Sequence, residues 1–292
     1  MSRDQLVELQ RREFRHNLVT DFMFGSRASG VSIEDRAIDG PGGDLPLRIY
    51  RTNASDTPLV VFFHGGGFVL GSLGANDAHC SRVSAATGAV VVSVGYRLAP
   101  LNPFPAAVDD SYAALVWAVE HADELGADAQ RLGVMGHSAG GNLAAVMCLL
   151  ARDRSGPTIR HQALVYPFID LSSAATRRDV NSPILPTAEL KSYREHYFFG
   201  HQPEPADDPR ASPILAESHR GLPPALIQVA QQDPLREDGQ RYADALRGAG
   251  VPVRITEYAG MPHGFLAYPR FCKAAPVALA ELSAELKSAL SG

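Results

Sequence analysis

Two short stretches hold residues whose types and spacing suit nucleophilic chemistry. In RLGVMGHSAGGNLAAVM (131–147) an apolar, strand-like run ends at Met135, and Gly136-His137-Ser138-Ala139-Gly140 leads straight into a helical pattern. A serine on so tight a strand-to-helix turn adopts a strained backbone, and the residues two positions away on either side must be small. Gly136 and Gly140 supply that room and present the Ser138 hydroxyl above the sheet edge. The helix N-terminus behind it adds partial positive charge where an oxyanion would form. The second stretch, VVFFHGGGFVLGS (61–73), sets Gly65, Gly66 and Gly67 after His64. Glycine loses more backbone entropy on folding than any other residue, so three in succession need a reason. Either they make a plain turn, or their N–H groups are kept bare beside a ligand.

A nucleophilic serine needs a base, and the base needs a group to orient it. Of the ten histidines, His16, His121, His196, His201 and His219 fall in polar stretches and are expected to be solvated. His263 differs: VRITEYAGMPHGF places it in a Gly/Pro-bounded loop just after a strand pattern. Asp233 follows the apolar run 225–230, where a side chain reaches the C-terminal edge of a sheet. The plainer alternatives are an Asx turn before Pro234 and a surface loop for His263. The chain order Ser138, Asp233, His263 is that of α/β-hydrolases, unlike the orders of chymotrypsin and subtilisin. Transition-state charge on a carbonyl oxygen is best held by preorganised N–H donors. Gly65, Gly66 and Ala139 are therefore expected to form an oxyanion hole, with His64 orienting the glycine loop.

The elements that must position these residues are legible as alternation. LVVFF (59–63), AVVVSV (89–94), LGVM (132–135), ALVY (163–166) and ALIQVA (225–230) are short, nearly unbroken apolar runs, as strands covered on both faces require. LPLRIYR alternates like a half-buried strand, and helical patterns cover 109–126 and 140–154. Strand and helix in alternation predict an α/β fold with a mostly parallel sheet and helices on both faces. Residues 1–40 are expected to form N-terminal cap helices, 41–169 and 221–292 the core, and 170–220 a cap insertion carrying the aromatic patch Tyr193, Tyr197, Phe198 and Phe199. With Phe22 and Phe24, that patch suggests a cap closing a hydrophobic acyl pocket that favours short to medium chains.

The 292 residues allow one large domain, and the net charge of -5 gives no basic surplus for nucleic acid or an anionic membrane surface. Cys80, Cys148 and Cys272 show no metal-ligand spacing and are expected to be small buried residues. The N-terminal stretch lacks the apolar core of a signal peptide, and no uncharged apolar run reaches about 18 residues. A cytoplasmic protein that uses no metal is the simplest expectation.

HGGGF, YRLAP (96–100) with NPFPAAVDD (102–110), GHSAGGN, DPLRE and HGF together resemble the hormone-sensitive-lipase-like (bacterial family IV) carboxylesterases, over residues from about 45 to 270. The resemblance implies an eight-stranded α/β-hydrolase core, a helical cap, and cofactor-free hydrolysis of small-molecule esters by Ser138, Asp233 and His263, with a homodimer through a sheet edge as one option. Two positions depart from the family pattern. His137 stands where an acidic residue usually precedes the nucleophile, and Leu101 where a glutamate commonly follows YRLAP. GHSAGG also resembles the motif of related formamidases, so an arylformamidase or amidase stays open as an alternative, and a non-catalytic small-molecule binding protein as a remoter one. The base must be neutral to accept the Ser138 proton, so kcat/KM should rise with pH on the acid side. A flat profile from roughly pH 5 to 9 would contradict the role of His263.

Overall fold

The computed structural model describes residues 3–11, 14–172, 182 and 184–291. In chain order its elements are α1 (Arg3–Gln10), α2 (Leu18–Phe24), β1 (Ser32–Gly40), β2 (Gly43–Arg51), β3 (Thr57–Phe63), α3 (Asp77–Thr87), β4 (Val90–Val94), α4 (Ala106–Glu120), α5 (Ala122–Leu125), β5 (Ala127–His137), α6 (Ala139–Asp153), β6 (Ile159–Val165), α7 (Thr187–Tyr197), β7 (Ala225–Gln232), α8 (Arg236–Gly248), β8 (Val253–Pro262) and α9 (Ala274–Ala289). Among the described residues, eight strands form one sheet in the order β1-β2-β4-β3-β5-β6-β7-β8. Only β2 runs antiparallel to its neighbours; the pairs from β4 to β8 are all parallel. This is the mostly parallel sheet expected from the alternation of runs, with the eight strands that the resemblance to α/β hydrolases implies.

The central strands show why continuous apolar runs were needed. Along β3 side chains alternate between faces, with Leu59, Val61 and Phe63 in one core layer and Val60 and Phe62 in the other. All five are fully buried. The first layer is closed by α4, α6 and α8, through residues such as Leu115, Leu143 and Leu246. The second is closed by α3 and α9, through Cys80, Val83, Leu282 and Leu286. Cys80 and Cys148 are buried as expected, whereas Cys272 is half-buried; all three are free thiols.

The N-terminal boundary differs from expectation. Residues 32–40, grouped from sequence with the cap helices, form the edge strand β1, paired with β2 from Ser32–Arg51 to Gly40–Gly43. Only Ile38 of β1 is buried, so the strand lacks the apolar run that marks its neighbours. Ahead of it, α2 is opened by a capping box in which Asn17 accepts from Val19 and Thr20 N–H groups. This segment is fastened to the core through the buried carboxylate of Asp77, which accepts from Tyr50, Arg48 and Arg27 and lies 3.0 Å from His16 Nε2. The other ring nitrogen of His16 lies 2.8 Å from Asp21, so this histidine is a bridge between carboxylates rather than a solvated side chain.

His219 is also a correction: it is buried, with Nε2 donating to the Pro213 carbonyl at 3.0 Å. In the expected insertion, residues 173–181 and 183 lie outside the described residues. Among the described residues no helix is long and apolar enough to cross a membrane.

His64 and His161 are buried and His79 is half-buried, and desolvation favours the neutral ring in each. Burial pushes His64 and His161 down to about 4 and His79 down to about 3. Their unfolded counterparts take up protons at higher pH, so the unfolded state binds more protons and stability falls as pH drops from about 6.5 toward 4. His161 has neither ring nitrogen partnered. In urea unfolding at pH 7, 6 and 5, His161→Leu should flatten the acid loss of stability, by up to ~1.4 kcal/mol per pH unit. Parallel slopes in the two proteins would contradict its burial as a neutral ring.

Candidate active site

Ser138 sits at the junction of β5 and α6 with φ 54 and ψ -118, a conformation that side chains other than glycine rarely adopt. Three hydrogen bonds fix it: its N–H donates to the Val165 carbonyl at 2.9 Å, and its own carbonyl accepts from the Asn142 and Phe168 N–H groups, each at 3.1 Å. The flanking glycines are needed for space. A Cβ on Gly136 would stand 2.0 Å from the Gly140 carbonyl oxygen, and one on Gly140 2.0 Å from the Phe63 carbonyl oxygen. Asn142 secures the adjacent loop, donating through Nδ2 to the carbonyls of Phe168 and Ala211 at 2.7 Å each.

The three residues singled out from sequence meet here. His263 Nε2 lies 2.9 Å from Ser138 Oγ, and His263 Nδ1 lies 2.7 Å from Asp233 Oδ2. A carboxylate only accepts, so Nδ1 carries the proton and the Nε2 lone pair faces the serine hydroxyl. All three side chains are buried. Asp233 also accepts the Leu235 N–H at Oδ1, 2.8 Å away, so the turn weighed as an alternative and the contact with His263 coexist on its two oxygens.

The glycine loop packs beside this group. A Cβ on Gly65 would lie 3.4 Å from Ser138 Cβ, one on Gly66 (φ +124) 2.1 Å from the Leu70 carbonyl oxygen, and one on Gly67 (φ +62) 2.3 Å from the Tyr193 ring. Ala139, the first residue of α6, puts its N–H at the positive end of that helix, adjoining the serine. His64 is buried under the loop, not facing the serine: its Nδ1 lies 2.8 Å from the Gly65 carbonyl oxygen, and its ring stacks on Tyr96 at 4.2 Å. Tyr96 donates to the His64 carbonyl at 2.7 Å, and its neighbour Arg97 makes a bidentate ion pair with Asp110. The YRLAP and VDD motifs thus brace the loop from behind.

A cavity of about 480 Å³ opens onto Ser138 and His263, lined by the glycine loop and by Phe168, Leu185, Leu190 and Tyr193. The aromatic patch divides. Phe24 and Tyr193 line the cavity; Tyr197 and Phe198 pack against Phe104, with Tyr197 also stacked on Phe68; Phe22 and Phe199 are exposed. Only part of the patch therefore faces the site.

Two residues not found from sequence border it. Tyr166, at φ 36, lays its ring 4.8 Å from that of His263. His79 meets His137, their Nε2 atoms 3.1 Å apart, across 58 residues of chain. A strained φ and a contact between distant residues leave no local pattern in sequence. Among the described residues no group of three or more His, Cys, Asp or Glu side chains stands in metal-ligating arrangement.

A doubly wound, mostly parallel sheet with a serine on a strained strand-to-helix turn and a His–Asp pair behind it defines the class, and comparison with known proteins agrees. The alpha/beta hydrolase fold family, Abhydrolase_3, matches residues 60–267. The carboxylic ester hydrolase LipN of Mycobacterium tuberculosis is 47% identical over 244 residues, covering 81% of this chain; the chain spans only 65% of LipN's length. Carboxylesterase NlhH of the same organism is 41% identical over 268 residues, covering 89% of this chain and 83% of NlhH. Among solved structures, a thermophilic carboxylesterase cloned from a metagenomic library superposes with a TM-score of 0.88 at 38% identity, covering 99% of this chain and 97% of that one. The chain belongs to the hormone-sensitive-lipase-like family of α/β hydrolases.

At Gly140 the turn packs directly on the β3 backbone, with no room for a Cβ. Gly140→Ala should destabilise the fold by about 3 kcal/mol or more, since the clashing atom is backbone. Urea unfolding midpoints measure this, and an unchanged midpoint would contradict the packing of the turn on β3.

Proposed function

We propose that the protein is a serine carboxylic ester hydrolase in which Ser138 is the nucleophile, His263 the general base and then acid, and Asp233 the group that orients the imidazole. The observation that carries it is the continuous chain Ser138 Oγ, His263 Nε2, His263 Nδ1, Asp233 Oδ2, with links of 2.9 and 2.7 Å. The Ser138 oxygen bonds to the ester carbonyl carbon while its proton passes to His263 Nε2. The carbonyl oxygen takes up the negative charge between the N–H groups of Gly65, Gly66 and Ala139. The carbon–oxygen bond to the alcohol then breaks as Nε2 returns the proton to the departing oxygen. Water repeats the attack on the acyl-enzyme, releasing the acid and restoring the serine. Asp233 stabilises the imidazolium without taking its proton.

The relatives are named ester hydrolases at 41 to 47% identity, which favours esters over the formamide alternative. A cavity of about 480 Å³ suits short to medium acyl chains rather than long lipids. Residues 170–220 with α1 and α2 serve as the cap in this reading. A sheet edge, β1 or β8, is the surface for a homodimer in this reading, and three unpaired cysteines suit a cytosolic setting.

The test is turnover of p-nitrophenyl esters of increasing acyl length, beside an N-formyl aryl amide. Wild type should cleave the short esters fastest, and Ser138→Ala should lose about ten-thousand-fold in kcat or more. Asp233→Asn, which keeps the geometry but reverses the hydrogen bond, should lose a comparable factor. Cleavage of the formamide with no ester turnover would overturn the ester reading.

A further inference from the structure

A second cavity, of about 270 Å³, lies between α3 and α9. It shares Phe24, Ala75, Asn76, His137 and Ala267 with the cavity over Ser138, so the two adjoin at the residue before the nucleophile. From there it runs outward past Ala78 and Leu279 to the exposed Pro276 and Ala280. We propose that this side cavity receives the departing alcohol of the ester and selects alcohols that carry a ring. The proposal rests on the ester-hydrolase reading and adds the substrate class to it.

Position gives the assignment to the alcohol. His263 Nε2 returns its proton to the departing oxygen, which must therefore lie on the His263 side of Ser138. Leu266, Ala267 and Pro269, in the turn just after His263, wall the side cavity. The opposite end of the main cavity, bounded by Leu185, Leu190 and Tyr193, is left to the acyl chain.

Chemistry gives the preference for a ring. The inner end is an aromatic corner: His79 and His137 meet edge to face at 4.2 Å, and both rest on Phe62, at 5.4 and 5.1 Å. A further ring adds to such a corner in offset or edge-to-face contact. The remaining wall is largely alanine, proline and leucine, which leaves width for a ring; its charged member, Arg82, is half-exposed and directs Nε to the Ser26 carbonyl. The opening at Pro276 and Ala280 lets a substituent on the ring extend into water.

The experiment compares esters of one acid, ethyl, phenyl and benzyl butyrate, and one alcohol series, ethyl butyrate and ethyl hexanoate. Wild type is set beside Ala78→Leu and Leu279→Trp, which fill the side cavity from opposite walls. Melting temperatures establish which variants fold, and either one suffices. The benzyl-to-ethyl and phenyl-to-ethyl ratios of kcat/KM should fall about tenfold or more in the filled variants, while the hexanoate-to-butyrate ratio stays at its wild-type value. Unchanged alcohol ratios, or a change confined to the acyl ratio, would overturn the proposal. Failure of wild type to cleave even ethyl butyrate would overturn the ester-hydrolase reading itself, and this proposal with it.

Discussion

The backbone of Ser138 is the constraint on which the rest depends. A non-glycine residue at φ 54 is strained, at a cost on the order of 1–3 kcal/mol, and persists only where its surroundings over-determine it. Here β5 passes directly into α6 through that one residue. The amide of Ser138 is tied to β6 through Val165, and its carbonyl to α6 and to the loop at Phe168. Glycines at 136 and 140 let the turn close on itself and on β3. Because β3 is pressed so closely, the loop that follows it falls beside the serine. One backbone strain thus sets the positions of both the Ser138 hydroxyl and the glycine amides.

Around that turn the protein uses burial to decide which imidazole can act. His64, His79 and His137 lie near the serine, and desolvation drives the pKa of each down, so they stay neutral. His263 alone is given a buried carboxylate on one nitrogen and the serine hydroxyl on the other. An imidazolium at His263 would thereby be supported by the carboxylate, while burial opposes one at its neighbours. The residue at 137, where an acidic side chain is usual, fits the same scheme: it is an uncharged ring packed on His79 and Phe62.

The parts of this arrangement that were legible in sequence are those with short-range causes. GHSAG announces a turn because its glycines are demanded within four residues, and HGGG follows its strand directly. Apolar runs such as LVVFF mark strands buried on both faces. What escaped depends on contacts far apart in the chain. SIEDRAIDG, residues 32–40, falls in with the cap helices in sequence because an edge strand buries little and so carries no apolar run. His16 and His219 look solvated because the distant groups packed on them come from folding, Asp77 for His16 and the Tyr242 ring for His219. His79 carries no local signal at all, and its partnership with His137 exists only because α3 packs beside the end of β5. Tyr166, likewise, acquires its position from the bend after β6 rather than from its neighbours in sequence.

The central claim is that this strained turn makes Ser138 the nucleophile. Treatment of the folded protein with a p-nitrophenyl alkylphosphonate, followed by intact-mass and peptide mass spectrometry, tests it most directly. One phosphonyl group per chain, mapped to Ser138 and abolished when the protein is first unfolded, is the predicted result. Modification of another residue, or equal labelling of the unfolded chain, would contradict it.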